Sequence, residues 1–109
     1  MQVHISVTDV GGSTVLAVDG LIDLTTIAIF HGELNRLVSR HRGVPLVVDL
    51  DAVTLLDDVG LGVLLGAAAR ARAEGGDIEI VCTRSTLRDR LATTRLDRAL
   101  TVRSSISTP

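Results

Sequence analysis

Two adjacent carboxylates, Asp57 and Asp58, stand where an apolar, β-rich run gives way to a helical one, in Leu55-Leu56-Asp57-Asp58-Val59-Gly60-Leu61-Gly62. In open α/β sheets ligands gather beyond the carboxyl ends of strands and at helix N-termini. Acids at such a junction have two chemistries open to them. They can hold Mg²⁺, as in aspartyl-phosphate chemistry, or they can cap the helix and face the positive end of its dipole. Capping is the simpler account. Consecutive strand residues point to opposite faces, so two Asp converge on one ion only through a turn, and neither a third ligand nor a Lys accompanies them. Gly60-x-Gly62-x-x-x-Gly66 misses the dinucleotide-binding spacing by one residue and lies inside the helical pattern rather than before it, which predicts close helix packing instead.

The other candidates are scattered. His4, His31 and His41 form no His-x-x-x-His pair, and no nucleophilic Ser motif is present. Cys82 is the single cysteine, so it forms neither an internal disulfide nor a zinc cluster and reads as a core thiol. Arg84, Arg88, Arg90, Arg95 and Arg98 form a basic strip, read as a solvated helix face. All 11 cationic side chains are Arg, which excludes chemistry built on a phosphate-loop Lys or a Schiff-base Lys. With no Trp or Tyr and one Phe, Phe30, the chain lacks base-stacking platforms, and a net charge of −2 is not the footprint of a nucleic-acid binder. The charge is uneven: residues 1–60 carry eight acids and three Arg, residues 61–109 five acids and eight Arg. No catalytic constellation assembles, so the residues predict a binding or regulatory module, not an enzyme, with no cofactor.

The elements that would position these residues fit one domain in the chain of 109 residues, spanning 1–103, with a loose polar tail over 104–109. Val3 to Val10 and the run Val15, Leu16 and Val18, ending at Asp19-Gly20, read as a hairpin around Gly11-Gly12. From Thr25 the period changes. Ile27, Phe30, Leu34, Leu37 and Val38 line one helix face, with Asp23, Thr25 and Thr26 available as caps and Gly43 and Pro45 ending it. Gly32 within it suggests a close neighbour. Val44 to Leu50 is a strand covered on both faces, extended by Thr54-Leu55-Leu56 after a kink at Asp51-Ala52. Val59 to Glu74 is a helix whose first half, apolar all round, is expected to be buried; Gly75-Gly76 ends it. Ile78, Ile80 and Val81 make a further strand. Ser85 or Thr86 caps a third helix with Leu87 and Leu91 inward, and Leu100–Val102 make a last strand. The alternation predicts an α/β (α+β) fold: a mixed sheet of four to five strands with an N-terminal hairpin, later strands parallel, and three main helices packed against it. The N-terminus lacks a signal-peptide pattern, and the longest apolar run, Val59 to Ala69, falls short of the roughly 20 residues that span a bilayer. A cytoplasmic protein without membrane or nucleic-acid partners is expected.

The stretch from Val47 to Gly66 resembles the STAS domain, the family of bacterial anti-sigma factor antagonists. The family pattern is an apolar strand, a Val-Thr-apolar-apolar-Asp segment, two Ser, then Gly-Leu-Gly and a helix; here it reads Val53-Thr54-Leu55-Leu56-Asp57-Asp58-Val59-Gly60-Leu61-Gly62. Gly20-Leu21-Ile22-Asp23-Leu24-Thr25 is similar to the family's Gly-Glu-Leu-Asp before its first helix. Gly75-Gly76 is similar to the Gly-Gly ending its second, and Leu91 to Leu100 to its Leu-Thr-Gly-Leu-Asp-Arg segment. Each piece is weak alone, but together they run through nearly the whole chain in order.

The resemblance implies a STAS fold and a partner switch. Such proteins bind an anti-sigma factor that is also an ATP-dependent Ser/Thr kinase, which frees the sigma factor; the kinase then phosphorylates the Ser directly before the conserved Gly. A phosphate there adds about −1.5 to −2 charges at a helix N-terminus and breaks a fitted interface. This chain departs from that pattern. Val59 occupies the acceptor position and cannot be phosphorylated, and Asp58 replaces the preceding Ser. Thr54 is the nearest upstream hydroxyl. Val59 keeps the acceptor position neutral, as in the binding-competent form, and Asp58 supplies about half a phosphate's charge one residue early. The expected partner surface is Asp23, Thr54, Asp57, Asp58, Val59, Gly60 and Leu61. Two further departures are Leu21 for the family's Glu and Arg95 for a Gly; a positive φ at Arg95 costs about 1–2 kcal/mol. The alternatives are a STAS subunit or scaffold of a signalling complex, bound to other STAS proteins without sigma release, and a weak nucleotide- or Mg²⁺-binding domain.

Overall fold

The computed structural model of the chain describes residues 3–93 and 100–103. Strands β1 (Val3–Val10) and β2 (Ser13–Ile22) form an antiparallel hairpin. Gly11 and Gly12 both take positive φ, 57° and 86°, as a two-residue type I′ loop requires. Helix α1 (Ile27–Arg40), β3 (Pro45–Leu56), α2 (Asp58–Ala73), β4 (Asp77–Val81), α3 (Ser85–Thr93) and β5 (Thr101–Arg103) follow. The sheet order is β1-β2-β3-β4-β5, with every pairing after the hairpin parallel. The expected mixed sheet with its helices is therefore present, with five strands. The expected tail, 104–109, and Arg95 lie outside the described residues.

One sheet face carries the core. Leu16, Val18, Ile22, Leu46, Val48, Leu50, Val53, Leu56, Ile78 and Ile80 pack against Phe30, Leu34, Leu37 and Val38 of α1, Leu61, Leu64, Ala67, Ala68 and Ala71 of α2, and Leu87 and Leu91 of α3. The helical spacing that predicted α1 is the spacing that buries it. Val15, Val47 and Val81 form a separate small cluster, on the opposite face by strand alternation.

Four expectations need correction. β2 does not end at Asp19-Gly20 but runs on to Ile22, because two bulges adjust the pairing and Gly20 takes φ 111° inside the strand. The first half of α2 is not buried all round. Only one stripe meets the sheet, and Val59 is left 40% exposed. Close packing holds at Gly60 alone: a Cβ on Gly62 would meet nothing within 4 Å, and one on Gly66 only the Arg70 guanidinium, at 3.6 Å. Gly32 likewise has open space beside it.

Candidate functional site

The end of β3 is built differently from its beginning. From Leu46 to Asp49 it pairs on both sides, with β2 and with β4. The β4 pairing stops at Asp49–Val81, and among the described residues β3 continues for seven residues beside β2 alone. Both bulges add a residue to β3: Ala17 pairs with Asp49 but Asp19 with Ala52, and Gly20 pairs with Val53 but Leu21 with Leu55. The first bulge lies at the kink expected around Asp51-Ala52, where the Asp51 amide donates to Asp49 Oδ1 at 2.9 Å. The second leaves Thr54 as the extra residue, exposed, with its hydroxyl donating to the Gly20 carbonyl at 3.2 Å. A bulge re-aims side chains in this way.

Side chains stand in for the missing strand neighbour. Asp51 Oδ1 accepts from the Thr83 amide at 2.6 Å and the Thr83 hydroxyl at 3.0 Å. The Arg84 guanidinium donates to the Val53 carbonyl at 2.6 Å, and that of Arg90 to the Leu56 carbonyl. Arg88 donates to the Cys82 carbonyl at 2.8 Å. Arg84 and Arg88 are exposed, as the expected solvated strip requires, and Arg90 is half-buried, but all three also bind backbone carbonyls. Guanidiniums with several N–H donors tie α3 and its lead-in to strand ends. Arg95 and Arg98 lie outside the described residues. A cleft of about 150 Å³ lies between the β3 end and α3, with Thr54, Arg84, Thr86 and Arg90 on its wall.

The β3–α2 junction is pinned from several directions. The Asp57 amide donates to the Ile22 carbonyl at 3.1 Å, joining the ends of β2 and β3. Asp57 is the N-cap of α2; its Oδ1 accepts from the Gly60 amide at 3.1 Å and its carbonyl from the Leu61 amide at 3.1 Å. Capping therefore occupies Asp57, as the sequence suggested. Asp58 has a different partner, Arg90, at 2.6 Å. The two carboxylates are drawn to separate donors and do not converge on one ion. A Cβ at Gly60 would collide with Leu56 Cδ1 and come within 2.7 Å of Ile22 Cγ2.

The β2–α1 loop is organised differently from expectation. Asp23 Oδ1 accepts from the Thr25 amide at 2.9 Å and the Thr25 hydroxyl at 2.6 Å. Those bonds hold the Asp23 carboxyl below its ordinary range. Thr26 is the N-cap residue of α1 but makes no side-chain cap bond. Its buried hydroxyl donates to the Leu21 carbonyl at 2.8 Å and accepts from the Asp23 amide at 3.1 Å. Thr26 thus takes the expected cap position, while the side chains of all three residues shape the loop rather than bond the first amides of the helix.

Of the seven residues expected on the partner surface, five stand on these linked strand ends and loops with side chains exposed or half-buried: Asp23, Thr54, Asp57, Asp58 and Val59. Gly60 and Leu61 are buried, and Leu61 belongs to the core. Sequence reasoning missed Leu24, 74% exposed, and Leu55, 46% exposed and paired with the half-buried Leu21. With Val59 they give the region an apolar surface. The signal was available for Leu24, an apolar residue between Asp23 and Thr25, ahead of the helical stripe. None existed for Leu55, because a bulge decides which way it points. The roles of Arg84 and Arg90 were also missed, since nothing local in sequence says that β4 stops short.

Among the described residues, no helix is long and apolar enough to cross a membrane. A family model of the STAS domain matches residues 4–108. No curated protein matches the chain. Among solved structures, the chain is similar to an anti-sigma factor antagonist from Mycobacterium paratuberculosis, at 27% identity and TM-score 0.86, covering 96% of this chain and 88% of that one. An anti-sigma-factor antagonist (STAS) domain protein from Planctomyces limnophilus aligns at 14% identity and TM-score 0.79, over 94% and 91% of the two chains. The Bacillus cell fate determinant SpoIIAA, in its phosphorylated form, aligns at 13% identity and TM-score 0.68, over 94% and 93%. The last two likenesses speak for the fold alone.

Proposed function

The chain belongs to the STAS domain family, and on that premise we propose that it is an anti-sigma factor antagonist whose docking surface is not switched by phosphorylation at the usual position. Its partner is an anti-sigma factor of the Ser/Thr kinase type, its site of action is the cytoplasm, and binding frees a sigma factor so that transcription starts. The observation that carries the reading is Val59: exposed, neutral, in the first turn of α2, with no hydroxyl to accept a phosphate. A Ser there would become a dianion at a helix start, whereas Val59 holds the surface permanently in its uncharged state. Asp58 does not imitate the phosphate, because Arg90 pairs with it. The surface does no catalysis: Asp57 is committed to the Gly60 amide and Asp58 to Arg90.

The likeness to the Mycobacterium paratuberculosis antagonist supports the partner class. A second reading, a STAS subunit of a sensor complex without sigma release, draws on the same Val59, because a domain without the acceptor has left the phosphorylation cycle. Incubation with the purified anti-sigma kinases of the native host and ATP tests both. The proposal expects a stable complex, release of the sigma factor and no phosphate incorporated at residues 54–61. Complexes that form only with other STAS proteins favour the scaffold, and a phosphorylated Thr54 contradicts the absence of a switch in this loop.

A further inference from the structure

An unusual construction in the molecule is the end of β3, which pairs with β2 on one side and with no described strand on the other. It carries the loop on which docking is proposed, yet among the described residues no strand lies along its β4 side after Asp49. On that open side it is held by α3 and the segment leading into it. Arg90 makes two contacts that straddle Asp57: it donates to the Leu56 carbonyl and, through Nη2, to Asp58 Oδ1 at 2.6 Å. One planar guanidinium with a fixed fork of donors serves both acceptors; an ammonium, being a point charge, does so poorly. The Asp57 cap lies between the two contacts, so the orientation of Val59 follows from where Arg90 holds its neighbours.

We propose that Arg90 is a positioning residue for the docking surface, holding the Leu56–Gly60 backbone from α3 in place of the absent strand and cancelling the charge of Asp58 beside Val59. The proposal rests on the docking reading for its biological meaning but not for its physics. The geometry separates it from a general stabilising role. The Asp58 side chain is 91% exposed and the Arg90 side chain 32%, and ion pairs so open to solvent contribute little to global stability. The effect of Arg90 is therefore local. It also couples α3, and the cleft that Arg84, Arg90 and Thr54 share, to the face that meets a partner.

The test is amide hydrogen exchange, read by NMR on the whole chain. In Arg90→Gln the amides of Asp57, Gly60 and Leu61 exchange roughly tenfold faster, while those of Ile78 and Ile80 keep their wild-type rates. Asp58→Asn, which leaves the Leu56 contact, gives a smaller increase. Arg90→Lys falls between wild type and Arg90→Gln. The double variant Asp58→Asn with Arg90→Gln is no looser than Arg90→Gln alone, because both act on one contact set. Wild-type exchange at Asp57, Gly60 and Leu61 in Arg90→Gln overturns the proposal, as does uniform acceleration throughout the sheet. The docking reading fails separately: if Val59→Asp binds the partner as tightly as wild type, docking lies elsewhere, whatever Arg90 does to the loop.

Discussion

Gly60 and Gly62 stand two residues apart in the same helix, and the structure predicts that the same substitution has opposite signs at the two positions. At Gly60 a new methyl group meets Leu56 Cδ1 and sits 2.7 Å from Ile22 Cγ2. Neither neighbour is free to retreat. Ile22 is fully buried and Leu56 is 3% exposed, and the backbones of both strand ends are tied by the Asp57–Ile22 and Arg90–Leu56 bonds. Overpacking of this kind costs about 1–3 kcal/mol. For a domain of this size each kcal/mol moves Tm by about 4 °C, so Gly60→Ala lowers Tm by about 4–12 °C. At Gly62 the added methyl meets nothing within 4 Å, and a helix-interior Gly→Ala gains about 0.5–1 kcal/mol, or about 2–4 °C. Thermal unfolding followed by circular dichroism, with urea titration as a second measure, reads both. A Gly60→Ala variant melting at or above wild type refutes the packing argument, and a Gly62→Ala variant melting lower refutes the claim of open space.

Two further predictions concern titratable groups. Burial pushes the Asp77 carboxyl up, but hydrogen bonds from the Thr101 hydroxyl, Arg72 and the Ile78 amide outweigh it and hold the group below its ordinary range. A carboxyl whose folded value is depressed contributes stability that is fully present above its unfolded value and is lost as pH falls through the folded one. The urea midpoint of wild type therefore exceeds that of Asp77→Asn at pH 7, and the gap closes below about pH 4; a gap that stays constant down to pH 2 contradicts this. Cys82 is fully buried, and burial, with the Asp51 charge as a lesser cause, pushes its thiol up. Iodoacetamide at pH 8 should then label it far more slowly in the native protein than in urea, as mass spectrometry will read; equal rates contradict the burial.

Much of the fold was legible because its signals are local. The 3.6-residue spacing of Phe30, Leu34, Leu37 and Val38 both predicts α1 and buries it. The Gly11-Gly12 turn and the β-branched Val47 and Val48 mark the hairpin and the central strand in the same way. Asp57 was legible as a cap because a cap is defined by the helix that follows it. What stayed hidden depends on tertiary context. Apolar residues at the start of α2 look buried in sequence, yet Val59 faces out because the sheet covers one stripe of the helix. Leu55 is exposed through a bulge that only pairing with β2 creates. Arg90 looks like one of several surface cations until the short β4 leaves a carbonyl of β3 for it to bind. The departure of Val59 and Asp58 from the family pattern could be read from the sequence; that Arg90 pairs with Asp58 could not.

The central claim is that a neutral side chain at position 59 keeps the docking surface permanently competent. It is tested most directly by calorimetric titration of the host's purified anti-sigma factor with wild type, Val59→Asp and Val59→Ser, the last before and after incubation with ATP. The account predicts that wild type and unphosphorylated Val59→Ser bind alike. Val59→Asp should bind at least roughly tenfold more weakly with its Tm unchanged, because one charge must be desolvated at the interface. Val59→Ser should be phosphorylated and then released, as a phosphate adds about −1.5 to −2 charges there. Val59→Asp binding as tightly as wild type, in a folded protein, contradicts the account.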